Sequence, residues 1–270
     1  MDALVRLSFI VAAIGYTIAG VLFFVDLASR RGVPSAVAWA PRVLTIAAVV
    51  HLGHVVAASV AVHACAVTTV PGALSLAALI VVVAYQIFCR RETLQTLGAF
   101  AAPLALTFLV GAEFVRAKQI LSENRTLLAI HVTANLVGVG LFLLAGAVAV
   151  LFVVHERRLK KKRVDWMTSK LPALDSLERA QGRLLMVGFP LLTIGVVTGA
   201  TFSAGIDTAP EIIRAVLAYA AWMTLALVLL LRAVAGWSGR RASYGALVGA
   251  ALVSLVLVGY LIQPALGDGL

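Results

Sequence analysis

The sequence predicts an all-α fold: a polytopic membrane helical bundle of eight transmembrane helices, with both termini outside. Three observations carry that expectation. The chain is 62% hydrophobic with a mean hydropathy of +1.03, whereas soluble domains use apolar residues for roughly 45–50% of the chain. Its apolar residues come in runs of about 17 to 25, each able to cross about 30 Å of hydrocarbon at 1.5 Å per residue. Its Lys and Arg residues gather on alternate connections, as the positive-inside rule requires of a multi-pass chain.

Taken in order, the predicted spans are Leu4–Ala28, Val43–Cys65, Ala73–Cys89, Leu97–Phe114, Leu127–Val154, Leu184–Phe202, Ile212–Ala235 and Tyr244–Ile262. Span one carries no small-x-small cleavage site and is too long for a signal core, so it is kept as a span. Ser29 to Pro34 stops it. Val70-Pro71-Gly72 reads as a tight turn between spans two and three. Span five is over-long for a bilayer, which implies tilt or projection beyond it. After it, Leu174, Leu177 and Leu184 recur near helical spacing, so residues 172–183 are expected to form an interfacial helix leading into span six.

Charge sets the orientation. Arg30, Arg31 and Arg42, then Arg90 and Arg91, then the run from Arg157 to Arg183, then Arg232, Arg240 and Arg241, all flank odd-numbered loops. Arg6, Arg116, Lys118, Arg125 and Arg214 are left for the other side. The odd loops are therefore expected inside. A net charge of +10 would suggest nucleic acid for a soluble protein. Here the excess sits beside helix ends, where orientation and anionic headgroups account for it, so the partner is the lipid bilayer and no nucleic acid is expected. No repeat or soluble segment interrupts the pattern, and residues 1–270 read as a single integral membrane domain. Cys65 and Cys89 fall at opposite ends of neighbouring spans, beyond disulfide reach.

Ionisable side chains inside spans are the default functional candidates. Asp26 and Glu113 lie at span ends and no carboxylate falls at mid-membrane, which disfavours an ion-coupled carrier. Five histidines remain. His51 and His54 share one face of span two, with His63 further along it; His131 opens span five and His155 closes it. At 1.5 Å per residue His63 and His131 lie within about 6 Å of their outer ends, and His51 and His54 about 14 to 18 Å deeper. Two neutral imidazoles on neighbouring helices can clamp a haem iron, and by depth His63 is the better partner for His131. The alternative is that each histidine only hydrogen-bonds a neighbouring helix. His155, beside Glu156 and the cation run, is expected to be solvated. Trp39, Trp166 and Trp237 suit an interfacial belt, whereas Trp222 lies deeper and is expected to pack. No nucleotide-binding loop, zinc spacing or nucleophile elbow is present.

Several stretches resemble the cytochrome c assembly family of CcsA, CcmC and HemX. They are Leu171-Pro172-Ala173-Leu174-Asp175-Ser176-Leu177-Glu178-Arg179, the stretch Gly188 to Gly199, the turn Gly236-Trp237-Ser238-Gly239-Arg240-Arg241, and span five from His131 to Glu156-Arg157-Arg158-Leu159-Lys160. The likeness is closest over 127–262, and in the first half rests on span pattern and His51. It implies haem handling in the bacterial inner (cytoplasmic) membrane, with His131 as an external haem ligand and His63, His51 or His54 as further cofactor-binding candidates. The family's tryptophan-rich segment is missing from Thr201 to Ile213, its inner histidine is replaced near Leu231-Arg232, and its last histidine is absent from Gly259 to Gln263. The resemblance is therefore to the small HemX-type branch rather than to a complete haem lyase, and no enzymatic activity is expected. The implied partners are cytochrome c biogenesis proteins. The alternative is a HemX-type regulator acting on glutamyl-tRNA reductase through the basic loop.

Overall fold

The computed structural model describes residues 2–30, 33–89, 94–114, 125–162, 166–202 and 208–262. Its elements are α1 (Asp2–Ala28), α2 (Pro34–Ala61), α3 (Val70–Phe88), α4 (Gly98–Phe114), α5 (Arg125–Lys160), a short α6 (Trp166–Lys170), α7 (Leu174–Ala200), α8 (Ala209–Ala235) and α9 (Gly239–Ile262). Eight of them, all but α6, are long and apolar enough to span a membrane. The described residues contain no strand, so the expected all-α, eight-span bundle is what the chain forms.

α5 is the axis. α7 and α9 pack along it on one side and α3 on another; α3 passes the contact on to α4 and α2, and α1 closes against α2 and α4. α8 covers α9 and α7. α2 and α5 are thus separated by α3. The odd connections collect at one end of the bundle, called here the basic end.

Local chemistry corrects several predicted boundaries. Span two begins at Pro34, not Val43, because Pro41 lies inside the helix instead of ending it. The ring takes away only one N–H near the helix start, and Thr45 Oγ1 donates to the Pro41 carbonyl at 2.7 Å. The same helix stops at Ala61, not Cys65, since His63 adopts φ 49°, a left-handed conformation that cannot continue a helix. Pro71 and Gly72 are not the hairpin turn. They form the first turn of α3, capped by Thr69, whose Oγ1 accepts from Gly72 N–H at 3.2 Å. The link is instead a single 3-10 turn, Ala66–Thr68.

The described residues 166–173, between α5 and α7, are fastened by two tethers. His155 is buried, and its Nδ1 donates to the Pro172 carbonyl at 2.9 Å. The solvated His155 of the sequence reading is corrected by the chain doubling back over it. Lys170 Nζ reaches Asp26 Oδ1 at 3.3 Å and also bonds the Asp26 carbonyl, fastening α6 to the end of α1. The expected interfacial helix over 172–183 is not separate: from Leu174 onward it is the opening of α7.

The turn from α8 to α9 uses two glycines with positive φ, Gly236 at 62° and Gly239 at 54°. Glycine reaches that region without a Cβ clash, and Trp237 N–H then caps α8 on the Leu231 carbonyl at 3.1 Å. Trp222 packs as expected, stacked on Phe189 at 5.9 Å with its indole N–H on Thr193 Oγ1 at 3.0 Å.

Candidate functional site

The seam between α5 and α7 is built from missing side chains. A Cβ on Gly138 would meet the Leu192 backbone at 3.0 Å, and one on Gly188 would meet Leu141 Cβ at 3.1 Å. Nearer the non-basic end, a Cβ on Gly195 would fall 2.2 Å from Asn135 Oδ1, and one on Gly199 would fall 2.6 Å from His131 Cε1. Gly195 and Gly199 are four residues apart on one helix face, the small-xxx-small spacing that lets membrane helices approach closely. The space they vacate is filled by Asn135 and His131.

His131 is half-buried in this cradle. Its Nδ1 donates to the Gly195 carbonyl at 2.8 Å, with Thr198 Oγ1 at 3.3 Å. Phe202 meets the ring edge-on at 5.5 Å. Asn135 Nδ2 lies 3.3 Å from each ring nitrogen. With the proton on Nδ1 committed to a backbone carbonyl, the Nε2 lone pair keeps only that long amide contact. A carbonyl-held Nδ1–H is the arrangement that orients metal-ligating histidines and sets their tautomer.

The histidines of α2 and of the turn after it divide into three situations. His51 is fully buried, and both nitrogens are taken: Nδ1 by Tyr16 Oη at 2.9 Å and Nε2 by Ser75 Oγ at 2.8 Å. It ties α1, α2 and α3 together and has no nitrogen left for an iron. His54 has Nδ1 on the Val5 carbonyl at 3.1 Å, with Ser8 Oγ at 3.3 Å. It lines a cavity of about 440 Å³ shared with Ser59, Thr69, Ser75 and Glu113, a volume within the ordinary range of ligand pockets, about 300–1,000 Å³. His63 is exposed on the turn beyond α2.

Among the described residues no hydrogen bond or ring contact joins His131 to His51, His54 or His63, and no cluster of three or more metal-ligating side chains occurs. The expected pairing of His131 with His63 by depth assumed a helix running to Cys65, and α2 ends short of that. Asn135 is the site-forming residue that the sequence reading missed, and its signal lay in the Gly195/Gly199 spacing. The stretch from Thr201 to Ile213, where the tryptophan-rich segment is missing, lies partly outside the described residues.

Comparison with known proteins agrees with this architecture. The model of the family described as cytochrome C assembly protein matches residues 67–265. The chain is 24% identical over 204 residues, 69% of its length and 54% of the relative's, to the cytochrome c biogenesis protein CcsA of Chlamydomonas reinhardtii. It is 26% identical over 130 residues to the inner membrane protein YpjD of Escherichia coli K12, covering 48% of this chain and 49% of that one. It is 33% identical over 73 residues to the protein HemX of Brevibacillus brevis, 27% of each. The chain spans about half the length of CcsA and YpjD, the first of these relatives. No solved structure matches. The family match begins where the chain leaves α2 and takes in the glycine seam, His131 and the Gly236–Arg241 turn, and so the chain is a multi-pass membrane member of the cytochrome c assembly protein family.

Proposed function

We propose that this chain is a non-catalytic, haem-handling protein of the cytochrome c biogenesis type in the bacterial cytoplasmic membrane, both termini facing outward, and that His131 Nε2 is an iron ligand. The observation that supports it most is the commitment of His131 Nδ1–H to the Gly195 carbonyl at 2.8 Å. That bond leaves a neutral imidazole, oriented and half-buried, with Nε2 available. When bound, haem would supply an iron centre of a potential set by its axial ligands. The chain's own part is to hold the imidazole tautomer, exclude competing side chains with the two glycines, and place the ring beside Phe202. Of the three histidines in the α2 region, His54 is the best suited to ligate, since its Nδ1 is held in the same way and it faces a cavity, one lined from α1 to α4 and apart from His131. His51 serves structure instead.

The test is the visible spectrum of the purified chain, oxidised and reduced, after haem-replete expression. A Soret band is expected in the wild type, lost in His131→Ala and weakened in His54→Ala, but kept in His63→Ala. A colourless wild type sinks the reading.

A second reading is favoured by the tethers on the basic side of the chain. His155 on Pro172 and Lys170 on Asp26 hold residues 166–173 against the bundle, as a docking surface for a soluble partner requires. In that reading the chain regulates tetrapyrrole synthesis and the loop binds glutamyl-tRNA reductase. Reversing the exposed charges, Lys161→Glu with Lys162→Glu, is expected to abolish capture of the reductase. Unchanged capture ends this reading.

A further inference from the structure

At the basic end one half-buried cation, Arg232, has no ion pair among the described residues. Arg232 lies in the last turn of α8 and rests flat on α7, where a Cβ on Gly182 would sit 3.1 Å from Nη2 and 3.7 Å from Cζ. Its Nη1 is sealed from solvent and has no acceptor among the described residues. The side chain as a whole is only half-buried, so the guanidinium also has an outward edge.

Three described acids of this end are engaged elsewhere. Glu156 holds Lys160 at 2.6 Å and Arg240 at 3.9 Å. Asp175 holds Arg179, and Asp26 holds Lys170. Glu178, one turn from Gly182 on α7, makes no ion pair with Arg232 among the described residues. A guanidinium carries five N–H donors and stays charged, and leaving one buried and unpaired is costly. No counter-charge for Arg232 stands among the described residues. On α7 the apolar side chain one turn from Gly182, Met186, is 64% exposed. A ligand here has an anionic head and a hydrocarbon body.

We propose that the α7/α8 furrow at the basic end binds an anionic phospholipid, with Arg232 holding its phosphate. Gly182 is the positioning residue, because its bare backbone lets the guanidinium lie against α7 and fixes its edge toward the lipid.

The test is native mass spectrometry of the full chain released from vesicles of phosphatidylglycerol and phosphatidylcholine, counting retained lipid. Arg232→Gln is expected to retain roughly fivefold less phosphatidylglycerol, the loss of one interfacial cation contact of about 1 kcal/mol. Arg241→Gln, an exposed cation of the same end, is expected to change nothing. Gly182→Ala, which crowds Nη2 while leaving the charge in place, is expected to lower retention in the same direction, and decides the matter should Arg232→Gln not fold. Equal losses in Arg232→Gln and Arg241→Gln overturn the proposal. So does equal retention of phosphatidylcholine, or displacement of the lipid by inorganic phosphate, which would make the site one for a soluble anion.

Discussion

Gly195→Leu is expected to destabilise the protein by about 3 kcal/mol, the upper part of the range for overpacking a tight interior. The substituted Cβ alone lands 2.2 Å from Asn135 Oδ1 and 2.4 Å from Asn135 Cγ. The remainder of the leucine has only the space now held by the Asn135 amide. Two helices that approach through glycines must then separate, and His131 loses its fixed distance to the Gly195 carbonyl. The control is Gly53→Leu, since nothing lies within 4 Å of a Cβ there, and it is expected to stay within about 0.5 kcal/mol of wild type. Thermal unfolding of the detergent-solubilised variants, side by side, reads the difference. Similar melting temperatures for the two would show that the seam carries no special strain.

The second large effect belongs to His51. His51→Leu removes the partner of Tyr16 Oη and of Ser75 Oγ at once. Tyr16 is fully buried, and an orphaned buried hydroxyl costs about 1–3 kcal/mol. A loss of about 2 kcal/mol is expected, with no loss of any Soret band, because neither ring nitrogen is free to ligate. Tyr16→Phe in the His51→Leu background is expected to recover part of the stability by removing the orphan. A cycle with no coupling between the two positions would mean that the buried hydroxyl finds another acceptor. In membrane bundles single interhelical hydrogen bonds average about 0.6 kcal/mol, so the coupling is readable mainly because both nitrogens are used.

Much of the architecture is legible in the sequence because hydrocarbon imposes one requirement on every span: apolar length with its backbone satisfied internally. That requirement reports which residues cross, not which way each helix is turned. His51 and His54 therefore look equivalent in the sequence, three residues apart on one face, and only packing separates the saturated one from the one on the cavity. Boundaries fail around prolines: Pro71, read as part of a turn, opens α3, and α2 runs through Pro41 from Pro34 instead of starting at Val43. His155 illustrates a different limit. Its neighbours Glu156 and Arg157 are those of a solvated helix end, and its burial depends on Pro172, which returns over it from a later part of the chain. His131 stands out in the sequence as a candidate through family likeness. The reason its ring is held in one tautomer is not legible there, because the Gly195 carbonyl lies 64 residues away.

The tether from Lys170 to Asp26 joins positions 144 residues apart. During synthesis α1 enters the bilayer long before its anchor exists. The ribosome must deliver four further spans and the basic loop before that end of the first helix can be fastened. Until then Asp26 waits at the membrane surface without its cation. Fastening of that end of α1 is therefore a late step of biogenesis, timed by the emergence of the loop, whereas α1 can close against α2 and α4 as soon as those helices are inserted.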